Sequence, residues 1–121
     1  MNRRILVVED DGDSRRIMRD LLASTGYHIL EAEDGQQGIA LAAAQRPDLI
    51  LMDIQLPLVD GYEATRRIKA DPELRVIPII VVTSQASSDG EDKARAAGCD
   101  SYITKPYSAR QLFAMINEQL R

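Results

Sequence analysis

Cysteine and histidine are almost absent from this chain of 121 residues, which has one of each, Cys99 and His28. A single cysteine cannot form a disulfide within the chain, and a cysteine-based zinc site would need several such ligands. We therefore expect Cys99 to fill a small space in the core and His28 to be an ordinary polar residue at the start of a strand. A lone cysteine suits a reducing compartment, so the expected location is the cytoplasm.

Long apolar segments and a strong excess of one charge are also missing. No segment reaches the ~20 apolar residues that span a bilayer, and the apolar run at residues 5–8 is too short for a signal peptide. The chain has 19 acidic and 15 basic residues, a net charge of -4, and so lacks the basic footprint of a nucleic-acid binder. These absences argue against membrane and nucleic-acid partners, and the length favours one domain over residues 1–121.

Short apolar runs are what the chain does have, and five of them are predicted to be strands. They lie at residues 5–8, 28–32, 49–52, 77–82 and 101–104. Continuous runs of this length suit strands that are covered on both faces, as in parallel sheets. Helical patterns fill the gaps, and capping signals at Asp34, Asp60 and Ser108 open three of the five helices.

The inward faces of the first two helices follow from the spacing of their apolar residues. Ile17, Leu21 and Leu22 are predicted to face the core from the first helix, which ends at Gly26. Ile39 and Ala43 are predicted to do so from the second helix.

The fourth helix, within residues 87–97, has the weakest signal. Gly90 near its first turn costs ~1 kcal/mol relative to alanine, and its apolar face is mostly alanine. We expect this helix to be shallowly anchored and mobile.

The alternation of strand and helix, repeated five times, predicts an α/β fold with a parallel sheet covered by helices on both faces. Five units cannot close an eight-stranded barrel, so an open, doubly wound, flavodoxin-like sheet with strand order 2-1-3-4-5 is expected.

Polar residues follow four of the predicted strands where those strands end. Glu9 and Asp10 follow the first, Asp53 the third, Thr83 the fourth and Lys105 the fifth. In an order of 2-1-3-4-5 the three carboxylates meet at the switch point, where Mg²⁺ bound by oxygen ligands would offset their repulsion. With a hydroxyl and an ammonium beside them, Asp53 is the expected nucleophile of a phosphoryl transfer that forms an aspartyl-phosphate.

Each of these residues also has a simpler explanation. The acidic run after the first strand can cap a helix, Asp53 and Thr83 can be turn residues, and Lys105 can lie on an ordinary surface loop. Taken singly, the simpler explanation is favoured for each. The coincidence of all of them at one edge of one sheet favours a functional site.

With these residues in this order, the chain resembles the response-regulator receiver domain, the CheY-like family of two-component signalling. The resemblance covers essentially the whole chain and rests on an ordered set of motifs at residues 7–11, 51–57, 60–61, 82–84 and 102–106. Residues 47–57 and the Gly98–Cys99 pair are especially similar to single-domain regulators of the DivK type.

The resemblance implies that Asp53 accepts a phosphoryl group from a phosphohistidine on a histidine kinase or a phosphotransfer protein. It implies that Glu9 and Asp10 hold Mg²⁺ together with Asp53 and the main-chain carbonyl of Gln55. Glu9 stands where many members have Asp, which leaves direct or water-mediated contact with the metal open. Gln55 and Gln85 occupy positions that tune autodephosphorylation in the family.

The resemblance also assigns the switch. Thr83 would move toward the phosphoryl group, Lys105 would pair with it, and Tyr102 would rotate as the coupled aromatic residue. The small side chain of Ser84 would leave the phosphoryl group accessible. The Lys105–Pro106 peptide bond would be cis.

Three other functions compete with a signalling switch. A haloacid-dehalogenase-like phosphatase also uses an Asp nucleophile, but it usually has a second Asp two residues later, where this chain has Gln55. A constitutive binding module would not need Glu9, Asp10, Asp53, Thr83 and Lys105 together. A flavin-binding protein of similar fold would need small or hydroxyl residues, not acids, after the first strand.

The output of such a switch is expected to come through protein contacts. Residues 1–121 leave no room for an output domain if the chain is complete, whereas a piece of a hybrid kinase or transcription factor remains the alternative. The fourth helix, fifth strand and fifth helix are the expected partner surface of a monomer or weak dimer.

Overall fold

The computed structural model describes residues 3–84 and 89–120. Its elements are β1 (Arg4–Val8), α1 (Gly12–Leu22), a 3₁₀ turn (Ala23–Thr25), β2 (His28–Ala32), α2 (Gly35–Gln45), β3 (Leu49–Asp53), α3 (Gly61–Ala70), β4 (Ile79–Thr83), α4 (Gly90–Ala97), β5 (Ser101–Thr104) and α5 (Ala109–Gln119). All four strand pairings are parallel, and the strand order is β2-β1-β3-β4-β5. The predicted fold class and strand order are confirmed.

Side chains alternate between two apolar cores, one on each face of the sheet. Leu6, Ile50 and Ile79 point toward α2, α3 and α4. Their sequence neighbours Ile5 and Leu49 point toward α1 and α5. Because every central strand is covered on both faces, its sequence is a continuous apolar run, which is why the strands were visible in the sequence.

Two inward-facing residues were predicted wrongly. Ile17 is 65% exposed, and Met18 and Leu22 provide the buried stripe of α1. Ala43 is exposed, and Ala42 takes its place on the buried face of α2.

The rotation of α2 follows from its glycines. A Cβ atom at Gly38 would lie 2.9 Å from Val8 Cγ2, so this helix packs closely against β1 through Gly38. The buried face therefore runs through Gly35, Gly38 and Ala42, a spacing that hydrophobicity alone does not reveal.

The predicted helix starts are confirmed, but only one of the three is a full capping box. Ser108 accepts from Gln111 N and the Gln111 side chain accepts from Ser108 N. Asp34 likewise accepts from the N3 backbone of its helix, at Gln37 N, but the Gln37 side chain accepts from Glu33 N instead. Asp60 accepts from the third helical backbone N–H of α3.

The fourth helix is short, and its buried residues are Gly90 and Ala94. Gly98 ends it in the left-handed conformation, at φ 106°. Residues 87 and 88 of the predicted segment lie outside the described residues. Within residues 3–84 and 89–120, no helix is long and apolar enough to cross a membrane.

Candidate phosphoacceptor site

Three carboxylates meet at the carboxyl ends of β1 and β3. One oxygen atom from each of Glu9, Asp10 and Asp53 lies within 4.8 Å of the others. The pairing of β1 with β3 brings these strand ends side by side. Glu9 is only 8% exposed, Asp53 is half-buried and Asp10 is exposed. The sequence-based expectation that these strand ends converge is met by the structure.

Burial and the closeness of the carboxylates raise the pKa values of Glu9 and Asp10. Burial, followed by the hydrogen bond with Asp53 and the charge of Asp53, raises the pKa of Glu9. Asp10 is exposed as a whole, but partial desolvation of its carboxyl group, followed by the hydrogen bond with Glu9 and the charge of Glu9, raises its pKa. A raised pKa means that the charged form of each carboxyl group is disfavoured in the folded protein. A cation bound between these groups would offset their mutual repulsion. The cluster offers only carboxylate oxygens, which suit Mg²⁺ and not a soft metal.

A lysine and a threonine complete the same edge of the sheet. Lys105 Nζ lies 3.2 Å from Glu9 Oε1. The backbone N–H of Lys105 donates to the Thr83 carbonyl at 2.8 Å, so the loop after β5 is tied to the end of β4. Thr83 is 1% exposed and ends β4. The Lys105–Pro106 peptide bond is cis, as the resemblance implies.

The loop after β3 fixes the conformation of Asp53. Asp53 Oδ1 accepts from Ile54 N at 2.7 Å. Ile54 O in turn accepts from Gly61 N at 2.9 Å. A Cβ atom at position 61 would lie 2.0 Å from the Asp53 carbonyl oxygen, so only glycine fits there. Gln55 is exposed in this loop, two residues after Asp53.

Two further predicted residues, Ser84 and Tyr102, lie just after β4 and on β5. Ser84 is exposed and directly follows Thr83. Tyr102 lies on β5 opposite Val81 and packs, half-buried, against the core beside α4. Gln85 lies outside the described residues.

A cavity of about 400 Å³ opens beside the carboxylates, between α1 and the loop after β5. Its lining combines Asp53 and Lys105 with the apolar side chains of Ile17 and Met18 and with Tyr107. Burial, and then the charge of Glu9, raises the pKa of Tyr107. The cavity is lined mostly by apolar side chains and reaches the edge of the carboxylate cluster at Glu9 and Asp53.

Arg15 was not predicted from the sequence to belong to this site, but it contacts the backbone that carries two of the carboxylates. Arg15 Nη1 donates to the carbonyl oxygens of Glu9 and Asp10. A single arginine on an amphipathic helix carries no motif, and nothing in its spacing indicates these contacts.

A doubly wound sheet with acids at its switch point and a Thr and a Lys beside them defines a receiver-type signalling domain. The family model of the response regulator receiver domain matches residues 5–117, and the chain belongs to that family. The chain is 42% identical to the polar-differentiation response regulator DivK of Brucella anthropi, over 99% of this chain and 98% of that protein. It is 41% identical to the DivK protein of Brucella ovis over the same shares.

Solved structures agree with this membership. The receiver domain of a sensor histidine kinase from Pseudomonas aeruginosa superposes with a TM-score of 0.92 at 35% identity, over 99% of this chain and 98% of that one. That structure is described with a magnesium ion coordinated in its active site cleft. The receiver domain of a signal transduction histidine kinase from Syntrophus aciditrophicus gives a TM-score of 0.90 at 32% identity, over 97% and 89% of the two chains.

Proposed function

We propose that Asp53 accepts a phosphoryl group from a phosphohistidine on a histidine kinase or phosphotransfer protein, and that this modification switches a protein-binding surface. The observation that carries the proposal is the convergence of Glu9, Asp10 and Asp53 within 4.8 Å, with Lys105 bonded to Glu9. Membership of the receiver family supports it.

The hydrogen bonds of Asp53 indicate which oxygen reacts. Oδ1 accepts from Ile54 N, so Oδ2, which does not accept from that main-chain donor, is the oxygen proposed to attack phosphorus. An O–P bond forms, the N–P bond of the donor breaks, and the imidazole leaves with the electron pair and takes up a proton. Lys105 would leave Glu9 for the new phosphoryl oxygens, and the Thr83 hydroxyl would donate to them.

Magnesium fits this donor set. The carboxylates of Glu9, Asp10 and Asp53 and the main-chain carbonyl of Gln55 would hold it. When bound, Mg²⁺ neutralises the charge that gathers on the transferred group. The raised pKa values of Glu9 and Asp10 support a cation here, because burial and the neighbouring carboxylates disfavour charged forms that a cation would stabilise.

The output is proposed to pass through Thr83 and Tyr102 to the surface of α4, β5 and α5. Movement of Thr83 toward the phosphoryl group would free space for Tyr102 to rotate inward. As a single domain over residues 1–121, a monomer or weak dimer, the protein would signal in the cytoplasm by contact with a downstream protein. The small Ser84 would leave the phosphoryl group open to water, and Gln55 and Gln85 would set its rate of hydrolysis.

Intact-mass measurement after incubation with a small acyl phosphate tests the proposal. We expect wild type to gain the mass of one phosphoryl group only when Mg²⁺ is present. Asp53→Asn should gain none, whereas Asp92→Asn, an exposed acid on α4, should match wild type. Equal labelling of Asp53→Asn would refute the proposal, and multiple turnover of a free phosphate ester would indicate a phosphatase.

A further inference from the structure

Arg15 connects the loop after β1 to β2 and the residue after it through all three nitrogen atoms of its guanidinium group. We call this loop, residues 9–11, the carboxylate loop. Nη1 donates to Glu9 O at 3.0 Å and to Asp10 O at 3.2 Å. Nη2 lies 3.2 Å from Glu33 Oε1, and Nε lies 3.5 Å from Glu31 Oε1. The Arg15 side chain is only 16% exposed, although its partner Glu33 lies at the surface with 67% of its side chain exposed.

The positive charge of Arg15 is already balanced by one acid in β2 and one just after it. Glu31 and Glu33 face it, and Arg19 shares Glu31 through a contact of 3.0 Å. Two arginines therefore meet two glutamates. The effect of Arg15 on the site consequently comes from the direction of its hydrogen bonds more than from its net charge.

The backbone of the carboxylate loop is held by β2 and by Arg15. Glu9 N donates to Ala32 O at 3.0 Å, and the Glu9 carbonyl accepts from Arg15. Asp11 caps α1 by accepting from Ser14 N at 3.1 Å. Without Arg15, the carbonyls of Glu9 and Asp10 would lose these donors, and the peptide between them would be free to turn.

We infer that Arg15 is a positioning residue, which fixes the Glu9–Asp10 backbone so that both side chains are presented to the same cation. This inference rests on the proposed cation site and adds a residue on α1 to it. The guanidinium fork contacts two backbone carbonyls and two carboxylates at once, which the point charge of lysine cannot reproduce.

Calorimetric titration with Mg²⁺, in the absence of any phosphodonor, tests the inference on three variants. Arg15→Gln should weaken Mg²⁺ binding by about tenfold, the lower end for partners that orient metal ligands. Arg15→Lys should leave most of that loss, because it restores the charge and not the fork. Arg19→Gln is the matched control: it removes an arginine from the same Glu31 but touches neither carbonyl, and it should bind within about twofold of wild type.

Amide hydrogen exchange on the metal-free proteins gives a second reading. Arg15→Gln should speed exchange at Asp11, whose N–H donates to Glu9 Oε2 at 3.3 Å, without changing exchange in β4. Wild-type affinity or tighter binding in Arg15→Gln, full rescue by Lys, or an equal loss in Arg19→Gln would overturn the inference. A wild type that binds Mg²⁺ but takes no phosphoryl group would refute the proposed function and leave the role of Arg15 standing.

Discussion

Gly61 is the residue whose size most directly controls the shape of the site. Its α-carbon lies so close to the Asp53 carbonyl that any side chain would overlap the strand end. Gly61→Ala should therefore lower the free energy of unfolding by about 3 kcal/mol, as other overlaps in well-packed regions do. It should also slow phosphorylation, because the displaced backbone carries Asp53.

Gly12→Ala provides the control for that variant. Gly12 begins α1, and the nearest atom to an added Cβ is Arg15 Nη2 at 3.7 Å, an ordinary contact. Urea denaturation should show Gly12→Ala equal to wild type or a few tenths of a kcal/mol more stable. An equal loss in the two variants would show that the overlap at Gly61 is not the cause.

Thr65 buries a hydroxyl that has no hydrogen-bond partner among the described residues. Replacing it with the isosteric Val removes an unpaired polar group from the core, so Thr65→Val should raise the free energy of unfolding by about 1 kcal/mol. Thr25→Val is the opposite case, because Thr25 Oγ1 donates to Leu22 O and accepts from Tyr27 N. In guanidinium titrations the two variants should shift in opposite directions; a shared direction would contradict this explanation.

Single residues were predictable from the sequence where their place in the sheet decides their role. Glu9, Asp10 and Asp53 follow strands whose ends must meet, so their convergence required only the strand order. Arg15 was not predictable, since its contacts depend on how a long side chain folds back over the turn before it. The close approach of Gly61 to the Asp53 carbonyl was not predictable either, because the sequence indicated Gly61 only as part of the Asp60–Gly61 motif.

At the scale of elements, α4 is less firmly anchored to the core than α5. It has eight residues, and its buried residues are Gly90 and Ala94, whereas α5 buries the large side chains of Leu112 and Ile116. Little apolar surface therefore opposes its opening. In native-state hydrogen exchange we expect residues 90–97 to be weakly protected relative to α5; equal protection would contradict the predicted mobility.

The existence of each helix and strand was predictable, but the rotation of α1 and α2 about their own axes was not. The strands and helix starts follow from buried runs and capping residues that act locally. The orientation of α1 and α2 is decided by tertiary packing. Ile17 is exposed because Met18 and Leu22 occupy the core face of α1. Ala43 is exposed because α2 packs against β1 through Gly38, which turns Ala43 toward solvent.

For the whole molecule, the carboxylate cluster predicts how stability depends on pH and Mg²⁺. The folded-state pKa values of Glu9 and Asp10 are raised above 4.5 and 3.8, so the folded protein binds protons that the unfolded chain releases. The contribution of these two groups to the free energy of unfolding of the metal-free protein should therefore fall as pH rises through those raised pKa values. Mg²⁺ requires the charged carboxylates, so added Mg²⁺ should reverse the slope at higher pH.

Thermal denaturation from pH 4 to 8, with and without Mg²⁺, measures this effect. Without metal, Asp10→Asn should lose the part of the pH dependence that Asp10 contributes, and it should also lose most of the Mg²⁺ stabilisation. Asp13→Asn, in the first turn of α1 and outside the cluster, should keep both. An Asp10→Asn protein with the pH dependence of wild type in the absence of metal would show that the carboxylates do not repel one another as described.

Chemical location of the phosphoryl group tests the central claim most directly. Borohydride converts an aspartyl-phosphate to homoserine, so reduction after incubation with an acyl phosphate, followed by peptide mass mapping, identifies the modified residue. We predict homoserine at position 53, formed only when Mg²⁺ is present during the incubation. Homoserine at another aspartate, or none in protein that binds Mg²⁺, would contradict the assignment of Asp53 as the phosphoacceptor.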